Sequence, residues 1–133
     1  MDPKKEKAVK LLTLTLQGGI TLTDTGSGAE TVQREVELRE PNAGDLIDAQ
    51  AESEQLVHSK DDGYQLVMSP TLMNLNLLRR RIVRIGTIEG PITLNMLRRL
   101  TAGDLRSLND AAIKHDAAAL LEVEQRGRSA AGS

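Results

Sequence analysis

The chain has 133 residues, of which 39% are hydrophobic; its formal net charge is −2, it contains no cysteine, and Tyr64 is its sole aromatic residue. That length fits one domain with a modest and almost wholly aliphatic core. Without cysteine there are no disulfides, thiol nucleophiles or thiolate metal sites, and no run nears the roughly 18 apolar residues of a membrane span or carries a signal-peptide pattern, so a cytoplasmic protein is expected.

The first 40 residues read as β-structure. Leu12, Leu14 and Leu16 alternate with Thr13 and Thr15, Gly18-Gly19 interrupts, and Ile20 and Leu22 alternate with Thr21 and Thr23. Period two around a Gly-Gly pair predicts a hairpin. GSGAE at 26–30 reads as a flexible loop, and VQREVELRE places Val32, Val36 and Leu38 on one face. The prediction for 8–40 is a meander of about three antiparallel strands, closed by Pro41, which cannot donate to a ladder.

Helices are expected over 43–125. Asn42 stands three residues before Asp45, the spacing of a helix N-terminal capping box, and a helix is expected from there to about His58, with Leu46, Ala49, Ser53 and Leu56 on one face. SKDDGYQ reads as a loop. Ser69-Pro70 is a strong helix start, and Leu72, Leu75, Leu78, Ile82 and Ile85 form an apolar stripe that extends the helix to about residue 85. Thr93 caps a short helix bearing Leu94, Leu97 and Leu100. The last helix, from Ala102 to about Gln125, repeats the T-x-x-D geometry with Thr101 and Asp104 and turns Leu105, Leu108, Ala112, Ile113, Ala117 and Leu120 inward. Residues 126–133 read as a disordered polar tail. The fold class is α+β: one domain over 1–125, a small meander followed by three or four helices.

Charge is uneven. Residues 30–62 hold ten acids against three bases, and residues 63–106 hold seven arginines against Glu89 and Asp104. Such halves satisfy each other within the fold or between subunits, or face an external ligand. Little points to catalysis: His58 reads as a helix C-terminal residue and His115 as a helix-surface one, the glycine pairs lack the context of a phosphate cradle, and no metal-ligand motif or cofactor signature is present. Residues 93–114 read as helix, short turn and helix with three arginines, but the second helix carries Asp104, Asp110 and Asp116, which repel phosphates. What remains is binding through helices.

The run Leu38-Arg39-Glu40-Pro41-Asn42-Ala43-Gly44-Asp45-Leu46 after a strand, then Ile85-Gly86 and Pro91, then Leu97, Leu100 and Asp104 before a last helix, resembles the tail assembly chaperones of Mu-like and P2-like contractile-tailed bacteriophages. The resemblance covers roughly residues 9–122; it departs where such proteins often carry proline after the first strand and this chain has Gly18-Gly19. It implies a non-enzymatic protein that holds the long helical tape measure protein before the tail tube polymerises, acts in the host cytoplasm, is not retained in the mature virion, and in many phages shares its N-terminal region with a longer frameshifted product. Leu38, Arg39, Pro41, Gly44, Asp45, Leu46, Leu100 and Asp104 are then structural motif residues. For partner binding, Met73 and Leu77 are expected to supply apolar contact and Arg79, Arg80, Arg81, Arg84, Arg98 and Arg99 a charged rim, the competing reading being that these arginines pair with Glu52, Glu54 and their neighbours. The expected partners are the tape measure protein and further copies of the chain. A small DNA-binding regulator and a minor structural tail subunit stand as alternatives.

Overall fold

Twelve consecutive residues, Leu12–Thr23, form the first strand β1 of the computed structural model, which describes residues 11–61 and 63–131. The expected alternation holds on both sides of Gly18-Gly19, with Leu16 and Ile20 buried and the threonines exposed. The chain does not reverse there, however. Between the pairs Thr15–Glu35 and Ile20–Gln33, β1 advances from 15 to 20 while its partner retreats only from 35 to 33, so the predicted hairpin turn is a bulge inside one strand. Reversal comes at Asp24–Ala29, where Asp24 accepts from the Gly26 N–H and the Ser27 hydroxyl, and leads into β2 (Glu30–Leu38). Val36 and Leu38 are buried as expected, but Val32 is exposed, because the next strand of the sheet pairs with β2 only from Val36 onward.

Helix α1 spans Ala43–Glu52 and stops well short of His58. Residues assigned to its last turns and to the following loop form a hairpin instead, β3 (Glu54–Ser59) paired antiparallel with β4 (Gly63–Met68) as a separate two-stranded sheet. Of the four residues expected on the inner face of α1, Ala49 and Ser53 are buried, whereas Leu46 and Leu56 are exposed. Helix α2 (Pro70–Arg81) begins as predicted, with the Ser69 hydroxyl accepting from the Leu72 N–H and proline in the first turn.

That helix ends four residues early. Ile82–Ile85 form strand β5, which pairs with β2, and Ile88–Glu89 form the short β6 beside it, giving the sheet order β1-β2-β5-β6, antiparallel throughout. The stripe residues Ile82 and Ile85 are both buried, but a β-branched run flanked by strands on both sides gains more from ladder pairing than from another helical turn. The four-stranded sheet thus draws two strands from a region read as helical.

Helix α3 is the short Leu94–Arg98, capped by the Thr93 side chain, and α4 runs Ala102–Ala131, about 45 Å at 1.5 Å per residue. It continues past Gln125, so most of the stretch expected to be a tail is helical; residues 132–133 lie outside the described ones. Only its first part packs inward: Leu108 and Ala112 are buried and Leu105 and Ala111 partly so, while Ile113, Ala117 and Leu120, expected inside, are exposed. One aliphatic core joins Leu16, Ile20, Val36, Leu38, Ile82 and Ile85 from the sheet to Leu78, Leu97 and Leu108 from α2, α3 and α4. Helices thus cover one face of an antiparallel sheet, an α+β arrangement.

Candidate interaction surfaces

The two Ala-Gly-Asp-Leu segments begin helices, and their aspartates do more than cap. Asn42 Oδ1 accepts from the Asp45 N–H at 2.9 Å and Asp45 Oδ2 accepts from the Asn42 N–H at 2.9 Å, completing the capping box. The Asp45 carboxylate also takes both arms of Arg39, at 2.6 and 2.9 Å, and Arg39 donates onward to the Glu40 and Arg80 carbonyls. Hydrogen bonding from Arg39 holds the Asp45 carboxyl below the usual carboxylate range against the opposing effect of burial, and the Asn42 N–H adds to it. Arg39 and Asp45 thereby lock the end of β2 to α1 and to the last turn of α2, with Pro41 half-buried in the link between β2 and α1. Gly44 and Leu46 stand exposed on α1.

Asp104 departs further from the capping pattern. Thr101 Oγ1 accepts from its N–H at 3.1 Å, but the carboxylate turns to the bulge in β1, accepting from the N–H groups of Gln17 at 3.0 Å, Gly18 at 3.1 Å and Gly19 at 2.9 Å. The glycines suit this cradle. A Cβ at Gly18 would lie 3.0 Å from Asp104 Oδ2, and Gly19 has φ +73 with a Cβ position 2.3 Å from the Gln33 carbonyl oxygen. Leu100, partly buried just before this knot, packs against the core.

Four of the six arginines assigned to a charged rim form ion pairs within the chain. Arg79 and Arg80 both bind the Glu52 carboxylate, and Arg80 also faces Asp48 at 3.6 Å. Burial pushes the Glu52 carboxyl up, but hydrogen bonds from Arg80 and Arg79 outweigh it and leave it below its ordinary value. Arg81, only 2% exposed, donates to the Arg39 carbonyl and pairs with Asp116 of α4 at 2.9 Å. Arg84 pairs with Glu37 at 2.8 Å across β2 and β5. Pairing between the acidic and basic halves is therefore largely internal, and Glu54 takes no part among the described ion pairs. Arg98 and Arg99 are exposed, Arg99 reaching the Thr21 carbonyl. A buried polar chain, from the Asn76 amide to the Ser53 hydroxyl (2.9 Å) and on to the Ala49 carbonyl (2.6 Å), with Arg79 Nε on Asn76 Oδ1, fastens α1 to α2.

Among the described residues, two extended apolar surfaces are left uncovered. Beyond Ala112, helix α4 exposes Ile113, Leu120, Leu121 and Val123, each more than half accessible. Their root adjoins a groove between α2 and α4 lined by Leu77, Leu78, Arg81, Ala112 and Ile113; Leu77 and Met73 are half-buried. The second surface is the β3–β4 hairpin, whose Leu56, Tyr64 and Leu66 are 65%, 69% and 69% exposed. Sequence reasoning missed it, although its signal was there: Leu56-Val57 and Leu66-Val67 flank Asp61-Asp62-Gly63, and Asp-Gly between apolar runs is a strong hairpin mark.

The remaining candidates take places that differ from expectation. His58 lies in β3, not at a helix end, edge-on to Tyr64 with ring centroids 4.8 Å apart. His115 Nδ1 is 3.4 Å from the Arg81 guanidinium. The first turn of α4, which a major-groove reading of residues 93–114 needs free, is tied to β1 by Asp104. Among the described residues no group of His, Asp and Glu could hold a metal ion, and no helix is long and apolar enough to cross a membrane.

Residues 16–128 match the family model described as tail assembly protein gp41. The chain is 46% identical over 108 residues to "Probable tail assembly protein gp41" of Escherichia phage Mu, covering 80% of this chain and 74% of that one. It is 45% identical over 101 residues to "Probable tail assembly protein FS-gp41" of the same phage, covering 75% of this chain and about half, 53%, of the relative. Identity to "Mu-like prophage FluMu protein gp41" of Haemophilus influenzae is 40% over 99 residues, 74% of this chain and 78% of that one. No solved structure matches.

Proposed function

Because the chain belongs to the gp41 family of tail assembly proteins of Mu-like phages, we propose that it is a tail assembly chaperone that holds the tape measure protein in soluble form until the tail tube polymerises around it. The observation that carries this reading is the second part of α4. Ile113, Leu120, Leu121 and Val123 recur at helical spacing with most of their surface in water, a face suited to an amphipathic partner helix laid alongside. A tape measure protein is long and helix-rich, and its apolar stripes would otherwise pair with one another.

On this reading the groove at Leu77 and Ile113 extends the contact, the half-buried Met73, one turn before Leu77 on α2, adds apolar surface, and the exposed charges of Arg98 and Arg99 contribute to encounter. Arg79, Arg80, Arg81 and Arg84 act indirectly, by fixing α1, α2 and α4 to each other and to the sheet. A surface of separate aliphatic side chains, without a large aromatic anchor, also favours an affinity low enough for the growing tube to displace the chaperone. The work takes place in the host cytoplasm, and the finished virion does not contain the chain. A longer product sharing the N-terminal region would carry the same α4 surface wherever the shared part reaches residue 123.

Co-expression with the phage's own tape measure protein tests the proposal. The chain should raise the soluble fraction of that protein and co-purify with it, and Leu120→Lys combined with Leu121→Lys should abolish both effects while leaving the far-ultraviolet spectrum unchanged. Equal solubility with and without the chain would overturn the chaperone reading. Abundant peptides of the chain in purified virions would favour a structural subunit.

A further inference from the structure

We propose that the β3–β4 hairpin is the contact of a two-fold dimer, the more exposed of its two faces stacked on the same face of a second copy. The register puts three cross-strand pairs on that face: Glu54 beside Met68, Leu56 beside Leu66, and His58 beside Tyr64. Leu56, Leu66 and Tyr64 are each about two-thirds exposed and Met68 is 43% exposed. A lone two-stranded sheet with an apolar face in water is marginally stable and calls for a covering layer.

The identity of that layer rests on the order of those pairs. Leu56 and Leu66 lie at the centre, with Glu54 and Met68 at one end and His58 and Tyr64 at the other. A two-fold axis through the central leucines, perpendicular to the strands, puts each copy's Glu54 and Met68 over the partner copy's His58 and Tyr64. The carboxylate then meets an imidazole, methionine meets the phenol ring, and leucine meets leucine. An axis along the strands would instead set Glu54 on Met68 and His58 on Tyr64, leaving the carboxylate against an apolar side chain with no polar partner. The face is thus complementary to itself in one orientation, which is the condition for an isologous interface. These four apolar side chains offer on the order of 500 Å² per copy, so the pair buries roughly 1,000 Å², at the lower edge of what a specific dimer uses. That size fits association in the micromolar range. The inference stands apart from the tape-measure reading, since it uses a different surface and needs no other protein.

Sedimentation or light scattering on the full chain at about 100 µM should show a dimer. Leu66→Lys should raise the dissociation constant at least about tenfold, whereas Gln65→Lys, on the opposite face of the same strand, should leave it unchanged. The native chain has no cysteine, so orientation can be read with a short bismaleimide linker: a mixture of Glu54→Cys and His58→Cys chains should give the mixed crosslink in excess of either self-crosslink. A monomer at that concentration overturns the proposal. So does equal weakening by Leu66→Lys and Gln65→Lys, or a Glu54→Cys self-crosslink in excess of the mixed one. If the hairpin becomes protected from proteolysis only when the tape measure protein is present, that protein is the occupant and the dimer is refuted.

Discussion

Replacing Asp104 by alanine separates its two roles, because a capping residue and a tertiary anchor differ in cost. A simple first-turn aspartate contributes about 1 kcal/mol or less. In this protein the carboxylate is 2% exposed and accepts from three backbone N–H groups, those of Gln17, Gly18 and Gly19, some 85 residues away in sequence. Hydrogen bonds to a charged acceptor contribute about 1.5–3 kcal/mol each when fully sequestered. Gln17 and Gly18 are exposed residues, so water replaces part of what is lost, and about 3 kcal/mol in total is expected, or a fall in Tm of about 10 °C. Asp104→Asn should recover only part of this, since its amide NH2 would face N–H donors. Thr101→Ala, which removes one bond to the Asp104 N–H, should cost about 1 kcal/mol. Urea unfolding followed by far-ultraviolet circular dichroism gives the comparison, with the m-value as a check on the unfolded state; Tyr64 is unsuited as a probe because it sits in the exposed hairpin. Equal costs for Asp104→Ala and Thr101→Ala, or an Asn variant as stable as the native chain, would refute the anchor.

Gly19→Ala should destabilise by about 3 kcal/mol or more in the same urea assay, since it forces a side chain into a positive-φ position and a Cβ against the Gln33 carbonyl. Asn76→Ala should cost about 2 kcal/mol by removing the link between Ser53 and Arg79. Asp45 and Glu52 have carboxyls held below their ordinary values, so their ion pairs stabilise the fold fully above an unfolded carboxyl pKa of about 4, and that stability is lost as pH falls through the lower folded values. Urea midpoints between pH 7 and pH 3 should accordingly drop, and the drop should be smaller in Arg39→Gln, whose Asp45 has lost its partner.

Local chemistry was legible where a signal and its partner lie close together in the chain. Asn42 with Asp45, Ser69 with Pro70 and Thr93 before Leu94 each mark a helix start within a single turn, and all three helices begin there. The alternation of Leu12 to Leu22 was equally plain. The path of the chain beyond Gly18-Gly19 was not, because a turn and a bulge need the same glycines, and only Asp104 distinguishes them. Ile82 and Ile85 fit a helical stripe and a strand equally well until β2 is beside them. Whether the arginines face a partner or pair internally stayed open in the sequence, because the residues that take them, Glu52, Asp116 and Glu37, lie 27 to 47 positions away.

The sequence alone therefore determined the α+β class, the helix starts, the aliphatic core and, through the run from Leu38 to Leu46, the family. Tertiary structure decided which charges are consumed inside the fold and which apolar residues remain outside it. Leu66 and Leu121 are as apolar as Leu78 and Leu108, and no local pattern tells them apart. Burial depends on what other elements reach, and the sheet and helices that close over Leu78 and Leu108 stop short of the hairpin and of the second part of α4.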